Sequence, residues 1–265
     1  MGDAQKAFFL FMEAFRPSLL IPHYNHHQLV GQVISKLEPV GLALIIVDDG
    51  SDATSVSCLL SLIKGVEWIH LLRHPDNLGK GAAVRTGLEY AYQNAYTHVL
   101  QIDADGQHAI GDVPKLLAMA KKQPRAIISG LAIFGKEAPL IRRYGRRITN
   151  TLANVETLSL TLRDTMCGFR VYPITETIRL LQRHPMGHRM AFDTEVLVKA
   201  CWARIEIHYI STLVTYPQSG ISHFHYWRDN VILFRMHCRL LLGMFFRIPR
   251  LLFRARNTCT PCAPD

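Results

Sequence analysis

Apolar runs and amphipathic stretches alternate along the first half of this 265-residue chain. The run from Leu42 to Val47 is continuously apolar, which is typical of a strand buried on both faces of a parallel sheet. Similar runs predict strands at 18–21, 42–47, 66–72, 97–102 and 125–129. Helical periodicity between them predicts helices at 26–37, 52–64, 79–96 and 112–122. This alternation predicts a doubly wound α/β fold, with a mostly parallel central sheet flanked by helices.

Two of these boundaries carry a local chemical signal. Pro22 is predicted to stop the first strand, and Asn25 to cap the helix that follows. Ser51 or Asp52 is the predicted cap of the second helix. Each cap would accept a hydrogen bond from a main-chain N–H in the first turn of its helix.

The second half of the chain is less regular, and nothing in it marks a boundary between two independent domains. The pattern predicts helices at 140–160, 174–183 and 192–202, a loop-to-strand segment at 164–172 and a strand at 205–209. A final helix is predicted from Asn230 to Arg256, with Pro249 inside it.

Polar residues that are suited to ligand binding follow three of the predicted strands. They are Pro22-His-Tyr24-Asn25, Asp48-Asp49 and Asp103-Ala-Asp105. In doubly wound sheets, ligands bind outside the carboxyl ends of the strands, near the point where strand order reverses. The pattern therefore predicts a binding site at this edge of the sheet.

Asp103, Asp105 and Gln107 alternate along the chain, so all three side chains can project from one side of an extended segment. Two carboxylates and an amide oxygen suit Mg²⁺ or Mn²⁺, held partly by the protein and partly by the phosphates of a substrate. The alternative is a solvated Asp/Gly turn. The second acidic strand end, at Asp48-Asp49, favours the metal site.

Asp48 and Asp49 are adjacent, so they should point to opposite faces of the strand. One is expected to accept from a nucleobase or ribose, and the other to brace the loop. The turn from Asn77 to Gly81 brings Lys80 to a helix N-terminus, which attracts anions. This turn lacks the Gly-Lys-Ser/Thr ending of a P-loop, and its alternative is a helix start that packs on the sheet.

The net charge of +9 and the pI near 9.4 favour anionic partners such as phosphates or lipid headgroups. No nucleic-acid-binding motif is present, so nucleic acid is not expected as a partner. Six cysteines without a framework spacing fit a reducing, cytoplasmic compartment. The apolar residues 8–12 are too few for a signal peptide, and residues 1–16 are expected to form an N-terminal helix. No apolar run is long enough to predict a transmembrane span.

Taken in order, six segments resemble the inverting nucleotide-sugar glycosyltransferases of the GT-A fold. The similarity is closest to the part of family 2 that includes dolichol-phosphate mannosyltransferase and related bacterial enzymes. It covers roughly residues 17–215, and its specificity comes from the order and spacing of the motifs. The segments are Pro22-His-Tyr24-Asn25, Val47-Asp-Asp-Gly-Ser51, Asn77-Leu-Gly-Lys-Gly81, Asp103-Ala-Asp-Gly-Gln-His108, Asp164 to Arg170, and Phe192-Asp-Thr-Glu195.

The resemblance implies that Pro22, Tyr24 and Asp49 surround the nucleobase and ribose of a UDP- or GDP-sugar. Asp103 and Asp105 would face the diphosphate, with Asp105 binding the metal and Gln107 completing its shell. The full donor-binding set is expected to comprise Pro22, Tyr24, Asn25, Asp48, Asp49, Lys80, Asp103, Arg143 and Arg146. Relatives often carry an arginine where Leu131-Ala132 stand, and Arg142, Arg143 or Arg146 are the candidates to replace its phosphate contact.

On the acceptor side, the resemblance points to the segment from Asp164 to Arg170, including Gly168 and Phe169, and His223 is a further candidate contact. A lipid phosphate acceptor is already ionised and needs no general base. A hydroxyl acceptor needs a carboxylate within hydrogen-bond reach, and Asp193 and Glu195 are the candidate catalytic residues. Their alternative role is the favourable placement of acids in the first turn of a helix.

The glycosyltransferase domain is expected to span 17–227, followed by a basic amphipathic helix at 228–256 and a disordered tail at 257–265. Recurring arginines beside Leu, Ile, Phe and Met favour a helix that lies in the membrane interface and meets anionic headgroups. Packing on the domain, with the arginines in water, is the alternative. The chain is thus expected to be a peripheral protein at the inner face of a membrane.

The predicted activity is the metal-dependent, inverting transfer of a sugar from a nucleotide-diphosphate sugar to a lipid-linked or other membrane-associated acceptor. Two alternatives remain open at this point. One is a catalytically inactive module that binds a nucleotide or lipid, although such a module would not need the complete set of Asp103, Asp105 and Gln107. The other is a nucleotidyltransferase, which would be expected to carry a basic Gly-rich loop where Pro22-His-Tyr-Asn stands.

Overall fold

The computed structural model describes residues 15–134, 140–215 and 226–254. Within these ranges, seven strands form one sheet in the order β3-β2-β1-β4-β6-β5-β7, and only β6 runs antiparallel to its neighbours. The strands are β1 Pro17–His23, β2 Leu44–Asp49, β3 Ile69–His74, β4 His98–Gln101, β5 Ile127–Phe134, β6 Arg170–Pro173 and β7 Ile207–Val214. The α-helices are α1 His27–Leu37, α2 Ala53–Ile63, α3 Lys80–Gln93, α4 Val113–Lys122, α5 Leu140–Thr157, α6 Ile174–Arg183, α7 Ala191–Trp202, α8 Tyr226–Phe245 and α9 Ile248–Arg254.

The core has two layers, one on each face of the sheet. Side chains alternate along β1, so Leu19 and Ile21 enter one layer while Leu20 enters the other. Helices α1, α2 and α4 cover the first layer, and α3, α6, α7 and α8 cover the second. Burial on both faces accounts for the continuous apolar runs. The α/β prediction, with a mostly parallel sheet between helices, is confirmed.

The order of the strands reverses at β1, which has β2 on one side and β4 on the other. Because β1, β2, β3 and β4 are parallel, their carboxyl ends lie at the same edge. His23 is level with Asp48 there, and Asp49 is level with His74. The polar strand ends that the sequence singles out therefore come together at the switch point.

Two predicted boundaries need correction. β1 does not stop at Pro22 but continues to His23. Beyond Leu20 it pairs only with β2, so one edge of the strand is open where the proline stands. Asn25 does not cap α1, because it adopts a left-handed conformation with φ of 53° and turns its side chain to accept from the main-chain N of Asp52. The predicted cap at Asp52 is confirmed by its bond to the main-chain N of Ser55 at 2.8 Å.

The predicted C-terminal helix is divided in two. α8 ends at Phe245, and Pro249 stands in the first turn of α9, where its missing N–H costs no helical bond. The inner face of α8 buries Met236 and Leu240 in the core layer that α7 also covers. Among the described helices, none combines the length and apolar character needed to cross a bilayer.

Some predictions fall on residues outside the described ranges. They are the N-terminal helix up to residue 14, the candidate acceptor contact His223 and the tail at 257–265. The side chain of Arg142 is also outside the described part of the chain.

Candidate active site

The two acids that end β2 are both structural braces. Asp48 is fully buried and accepts from His23 Nδ1 at 2.9 Å and from Arg73 Nε at 3.3 Å. Burial by itself would raise the pKa of Asp48, but hydrogen bonds from His23 and Ser51 outweigh it and hold that pKa below its ordinary value. Asp48 is therefore held as a carboxylate inside the protein.

Asp49 fixes the Gly-rich turn that precedes α3. Its carboxylate accepts from the main-chain N of Leu78 at 3.1 Å and of Gly79 at 2.7 Å, and His74 Nδ1 lies 2.7 Å from it. Asp49 is 2% exposed, so it does not face open solvent any more than Asp48 does. Asp49 therefore braces the turn while Asp48 pairs with side chains of β1 and β3, and the expected contact of one of the two acids with a nucleobase or ribose stays a prediction.

Lys80 stands at the start of α3 and joins two acids that are far apart in the sequence. Its Nζ lies 2.8 Å from Asp103 Oδ1 and 2.8 Å from Asp193 Oδ2. Burial alone would lower the pKa of Lys80, but the charges of Asp103 and Asp193 raise it well above its usual range. The ammonium is thus a permanent cation between β4 and α7.

Gly168 makes room for this cluster. A Cβ at that position would stand 2.7 Å from Lys80 Nζ and 2.7 Å from Asp103 Oδ2. No side chain fits there without displacing the ion pair. Gly168 was predicted on the acceptor side from its motif, and its contacts now give a physical reason for glycine at this position.

The segment after β4 places Asp103 and Asp105 close enough for the charge of one to act on the pKa of the other. Burial opposes ionisation of Asp103, but Lys80 and His108 outweigh it and keep the pKa of Asp103 far below its ordinary value. The pKa of Asp105 is raised by burial and by the negative charge of Asp103. Asp105 Oδ1 accepts from the main-chain N of Gln107 at 3.0 Å.

These residues fit a divalent metal ion of the hard, oxygen-preferring kind. A carboxyl with a raised pKa beside another carboxylate is a site where added positive charge is favourable. The Lys80 ammonium already occupies part of that role for Asp103. Within the described residues no group of three or more His, Cys, Asp or Glu side chains forms a closed metal site, so the remaining ligands would come from a substrate, as Mg²⁺ sites often arrange.

His108 is a member of this site that sequence reasoning did not single out. Its Nε2 lies 3.4 Å from Asp103 Oδ2, and its ring stacks on Phe169 at a centroid distance of 5.1 Å. Its position in the same motif, directly after Gln107, was the available signal. The stacking partner is 61 residues away and could not be read from the sequence.

The predicted acceptor segment is deeply buried. Phe169 and Arg170 have no exposed surface, and the expectation that the segment borders an acceptor pocket stays a prediction. Arg170 donates to the main-chain O of Asp193 at 2.6 Å and of Thr165 at 2.7 Å. Arg170 therefore contributes to the site indirectly, because it holds α7 against the segment 164–170.

Asp164 and Arg146 are bound to each other. Arg146 Nη1 lies 2.6 Å from Asp164 Oδ1, and Asp164 Oδ2 accepts from the main-chain N of Ala132 at 3.1 Å. The stretch where relatives often carry an arginine is thus tied to Asp164 through its backbone. Arg143 is exposed on α5. The phosphate contact proposed for Arg143 or Arg146 stays a prediction.

The structure separates the two candidate bases. Asp193 belongs to the Lys80 cluster, and its Oδ1 has no hydrogen-bond partner among the described residues. Glu195 binds the main-chain N of Gly187 and the side chains of Lys199 and Arg239. Only Asp193 of the pair shares a contact with the Asp103 network.

Pro22, Tyr24 and Asn25 are half-buried at the open end of β1. Asn25 binds the β2–α2 connection through Ser51 and Asp52. The three residues therefore lie beside the braced ends of β1 and β2. Their role around a nucleobase stays a prediction.

Comparisons with known proteins agree with this arrangement. A family model described as "Glycosyl transferase family 2" matches residues 18–183. The chain is 28% identical over 249 residues to a dolichyl-phosphate β-glucosyltransferase of Drosophila melanogaster, which covers 79% of this chain and 74% of that protein. It is 25% identical over 217 residues to the dolichyl-phosphate β-glucosyltransferase ALG5D of Trichomonas vaginalis, covering 73% of this chain and 64% of that protein, or somewhat less than two thirds of its length.

The fold also matches solved structures. Glucosyl-3-phosphoglycerate synthase from Mycobacterium tuberculosis, crystallised with Mn²⁺, UDP-glucose and phosphoglyceric acid, aligns with a TM-score of 0.62. The alignment covers 91% of this chain and 82% of that one at 14% identity. At this identity the likeness concerns the fold, and it confirms the predicted GT-A architecture.

Proposed function

Because the chain belongs to glycosyl transferase family 2, we propose that it is a metal-dependent, inverting glycosyltransferase that moves a sugar from a UDP- or GDP-sugar to a lipid-linked acceptor. The observation that carries this proposal is the Lys80 cluster at the carboxyl edge of the sheet. There, the Lys80 ammonium joins the acid that follows β4 and the acid that opens α7. Family membership also argues against the nucleotidyltransferase and the inactive-module alternatives.

On the donor side, Asp103, Asp105 and Gln107 would hold a divalent ion between the protein and the diphosphate. When bound, such an ion stabilises the negative charge that develops on the leaving nucleoside diphosphate. The protein keeps Asp103 ionised in the absence of metal by pairing it with Lys80. The ligand carboxylate is therefore already ionised before a metal binds.

Lys80 would also bind a phosphate group of the donor. Its side chain extends from the first residue of α3, where the helix dipole favours an anion. Since Lys80 stays charged, it can exchange a carboxylate partner for a phosphate oxygen of the donor. Pro22, Tyr24 and Asn25 would contact the nucleoside from the end of β1, on a backbone that Asp48 and Asp49 hold in place.

On the acceptor side, the relatives named as dolichyl-phosphate glucosyltransferases support a lipid phosphate as the nucleophile. A phosphate acceptor carries its charge already and needs no proton removed. If the acceptor is a hydroxyl, Asp193 is the better placed candidate base, since Lys80 joins it to Asp103, whereas Glu195 is bound to Gly187, Lys199 and Arg239. Inversion follows if the acceptor attacks the anomeric carbon from the face opposite the leaving diphosphate.

Two helices supply the surface that would bring the site to a membrane. On α8, large apolar side chains recur at helical spacing on the side away from the core: Val231, Phe234, Leu242 and Phe245. On α5, which packs against α8, Tyr144, Ile148 and Val155 form a second exposed stripe. Exposed arginines at 235, 239 and 250 fit the anionic headgroups of an interface. We refer to these two stripes as the apolar surface.

The proposal is tested by a transfer assay with purified protein, UDP- and GDP-sugars, Mn²⁺ or Mg²⁺, and a short-chain polyprenyl phosphate. We expect one nucleotide sugar to give a glycosyl-phosphate lipid whose anomeric configuration, read by NMR, is opposite to that of the donor. Chelation should stop the reaction. A folded protein that transfers no sugar from any donor in the panel, with either metal, would contradict the proposed reaction.

A further inference from the structure

Glu195 is almost completely buried, and its hydrogen bonds to protein groups do not fit the acid–base role that its motif suggests. We propose that Glu195 is a positioning residue: it fixes the loop of residues 184–190 beneath the Gly-rich turn that carries Lys80, and it links helix α8 to that turn through Arg239. The proposal rests on the proposed function in one respect, namely that Lys80 serves the donor site. It gives the second acid of Phe192-Asp-Thr-Glu195 a task distinct from that of Asp193.

The carboxylate of Glu195 is fully committed to holding this loop. Oε2 accepts from the main-chain N of Gly187 at 2.7 Å, and Oε1 accepts from Lys199 Nζ at 2.7 Å. Lys199 also donates to the main-chain O of Pro185, so the loop is bound at two points through one acid and one lysine. Glu195 is 2% exposed, and it is unsuited to exchange protons with a substrate in this arrangement.

The same loop is the platform on which the Gly-rich turn rests. The main-chain O of His188 accepts from the main-chain N of Ala82 at 2.8 Å. Arg189 Nη1 donates to Asn77 Oδ1 at 3.1 Å. Loop and turn are therefore hydrogen-bonded on both sides of Lys80.

The loop and the turn pack so closely that there is no room for a side chain at Gly79 or Gly81. A Cβ on Gly81 would stand 2.8 Å from the main-chain O of Gly187, and a Cβ on Gly79 would stand 2.5 Å from Arg189 Cγ. Because the backbones touch, a shift of the loop must move the turn. The position of the turn determines where the Lys80 ammonium meets Asp103 and Asp193.

Arg239 brings α8 to the same carboxylate. Its Nη2 lies 3.4 Å from Glu195 Oε2, and the arginine side chain is 60% exposed. An ion pair with one exposed partner contributes little to stability, and its geometry is easily altered by what α8 binds. Arg239 lies on the same helix as the apolar surface, so the link runs from the face expected to meet lipid to the Lys80 turn.

The test compares Glu195→Gln with Asp193→Asn, the same chemical change two residues apart. Hydrogen–deuterium exchange at the Gly187 and Ala82 amides is measured alongside the affinity for UDP and GDP with Mn²⁺, and the pH profile of turnover. For Glu195→Gln we expect exchange at both amides to rise by about tenfold or more, and nucleotide affinity to fall by about tenfold. Turnover at saturating donor and its pH profile should stay near wild type.

For Asp193→Asn we expect the Gly187 amide to exchange at the wild-type rate. If instead Glu195→Gln lowers turnover by about a hundredfold or more, removes a limb of the pH profile and leaves exchange at Gly187 and Ala82 unchanged, Glu195 is a general base and the proposal is wrong.

Two further variants keep the outcome decisive if Glu195→Gln does not fold. Lys199→Met leaves the carboxylate in place but removes the bonds to Pro185 and Glu195, so it should show a smaller rise in exchange at the same amides. Arg239→Gln should raise exchange at Gly187 by about two- to threefold, whereas Arg235→Gln, which removes the same charge one turn earlier, should leave it unchanged. Unaltered exchange in both Lys199→Met and Arg239→Gln would overturn the proposal.

The exchange measurements separate this role from the proposed function. If the wild-type protein binds neither UDP nor GDP, the glycosyltransferase proposal fails, while the amide exchange still decides whether Glu195 positions the loop. If nucleotides bind and the exchange at Gly187 and Ala82 does not respond to Glu195→Gln, only the positioning role fails.

Discussion

The carboxyl edge of the sheet and the outer faces of α5 and α8 depart from ordinary burial in opposite directions. At the sheet edge, charged groups are buried: Asp48, Asp49 and Asp193 are each less than 10% exposed. On α8, large apolar groups are exposed, with Phe234 at 69% and Phe245 at 66%. Buried charge and clustered exposed apolar surface are the two arrangements that folding alone does not favour.

The two regions differ in what compensates for the unfavourable free energy of these arrangements. At the sheet edge Asp48 pairs with His23, Asp49 with the Gly-rich turn and Asp103 with Lys80. Asp105 accepts only from the main-chain N of Gln107 among its described hydrogen bonds, and its raised pKa leaves it to be compensated by added positive charge. The apolar surface has no comparable compensation within the described residues, and a bilayer interface would supply it from outside the molecule. The first region is thus compensated within the protein except at Asp105, whereas the second needs an external partner.

The largest effect of a substitution is expected at Asp103 and Asp105. Asp105→Ala should weaken Mn²⁺-dependent binding of a UDP- or GDP-sugar by at least about 100-fold, because it removes the predicted direct ligand. Asp103→Asn should weaken the same binding by about tenfold, since the amide can still offer one oxygen. Calorimetric titration with and without Mn²⁺ measures both.

Asp112→Asn is the matched control, since that carboxylate binds Lys115 and Thr212 outside the site. It should leave nucleotide-sugar binding unchanged. Wild-type, metal-dependent affinity in both Asp105→Ala and Asp103→Asn would show that these two acids do not bind the metal.

A smaller effect is expected on the apolar surface. Phe234→Ser combined with Phe245→Ser should lower binding to anionic liposomes by about tenfold or more, because each phenylalanine would otherwise bury its ring in the acyl boundary. Raising the salt concentration should weaken wild-type binding as well. Co-sedimentation with vesicles of stated lipid composition measures both effects.

Substitution is preferable here to removing the residues after Trp227. Truncation would also remove Met236 and Leu240 from the core and break the 2.6 Å contact between His237 and Glu156. Leu60→Ser, an exposed leucine on α2 across the sheet, is the control and should bind like wild type. If the full-length protein stays unbound at low salt, the membrane assignment of the apolar surface is wrong.

The smallest effect is expected from His98, a buried polar residue that lies outside the site. His98 stands at the amino end of β4, where its Nε2 lies 3.1 Å from the main-chain O of Pro124. Burial lowers the pKa of His98 below its ordinary value of 6.5. Below pH 6.5 the unfolded chain therefore takes up a proton at this residue more readily than the folded chain, and stability falls as the pH is lowered toward the folded pKa.

Between pH 7 and pH 5 the Tm of the wild-type protein should fall by roughly 2 °C more than that of His98→Gln, which cannot take up the proton. Thermal melts at several pH values measure this difference. Nucleotide affinity at neutral pH should be the same in both proteins. If His98→Gln changes the nucleotide affinity, the histidine at the amino end of β4 influences the site at the carboxyl end of that strand.

The features that could be read from the sequence are local in origin. Continuous apolar runs identified the strands, a period of about 3.6 residues identified the helices, and turn chemistry placed Asp48, Asp103 and Lys80 at their ends. Because parallel strands share one carboxyl edge, these local signals also predicted where the site lies. The metal-ligand geometry at Asp105 and the role of the C-terminal helix stay predictions.

The tertiary structure alone decided which groups meet across long stretches of chain. Lys80 and Asp193 are 113 residues apart, and Glu195 meets Arg239 across 44. Neither pairing has a local signal, because each depends on the antiparallel insertion of β6 and on the packing of α7 against α3 and α8. The sequence pattern therefore showed Asp193 and Glu195 as equivalent acids in one helical turn, and only their three-dimensional partners set them apart.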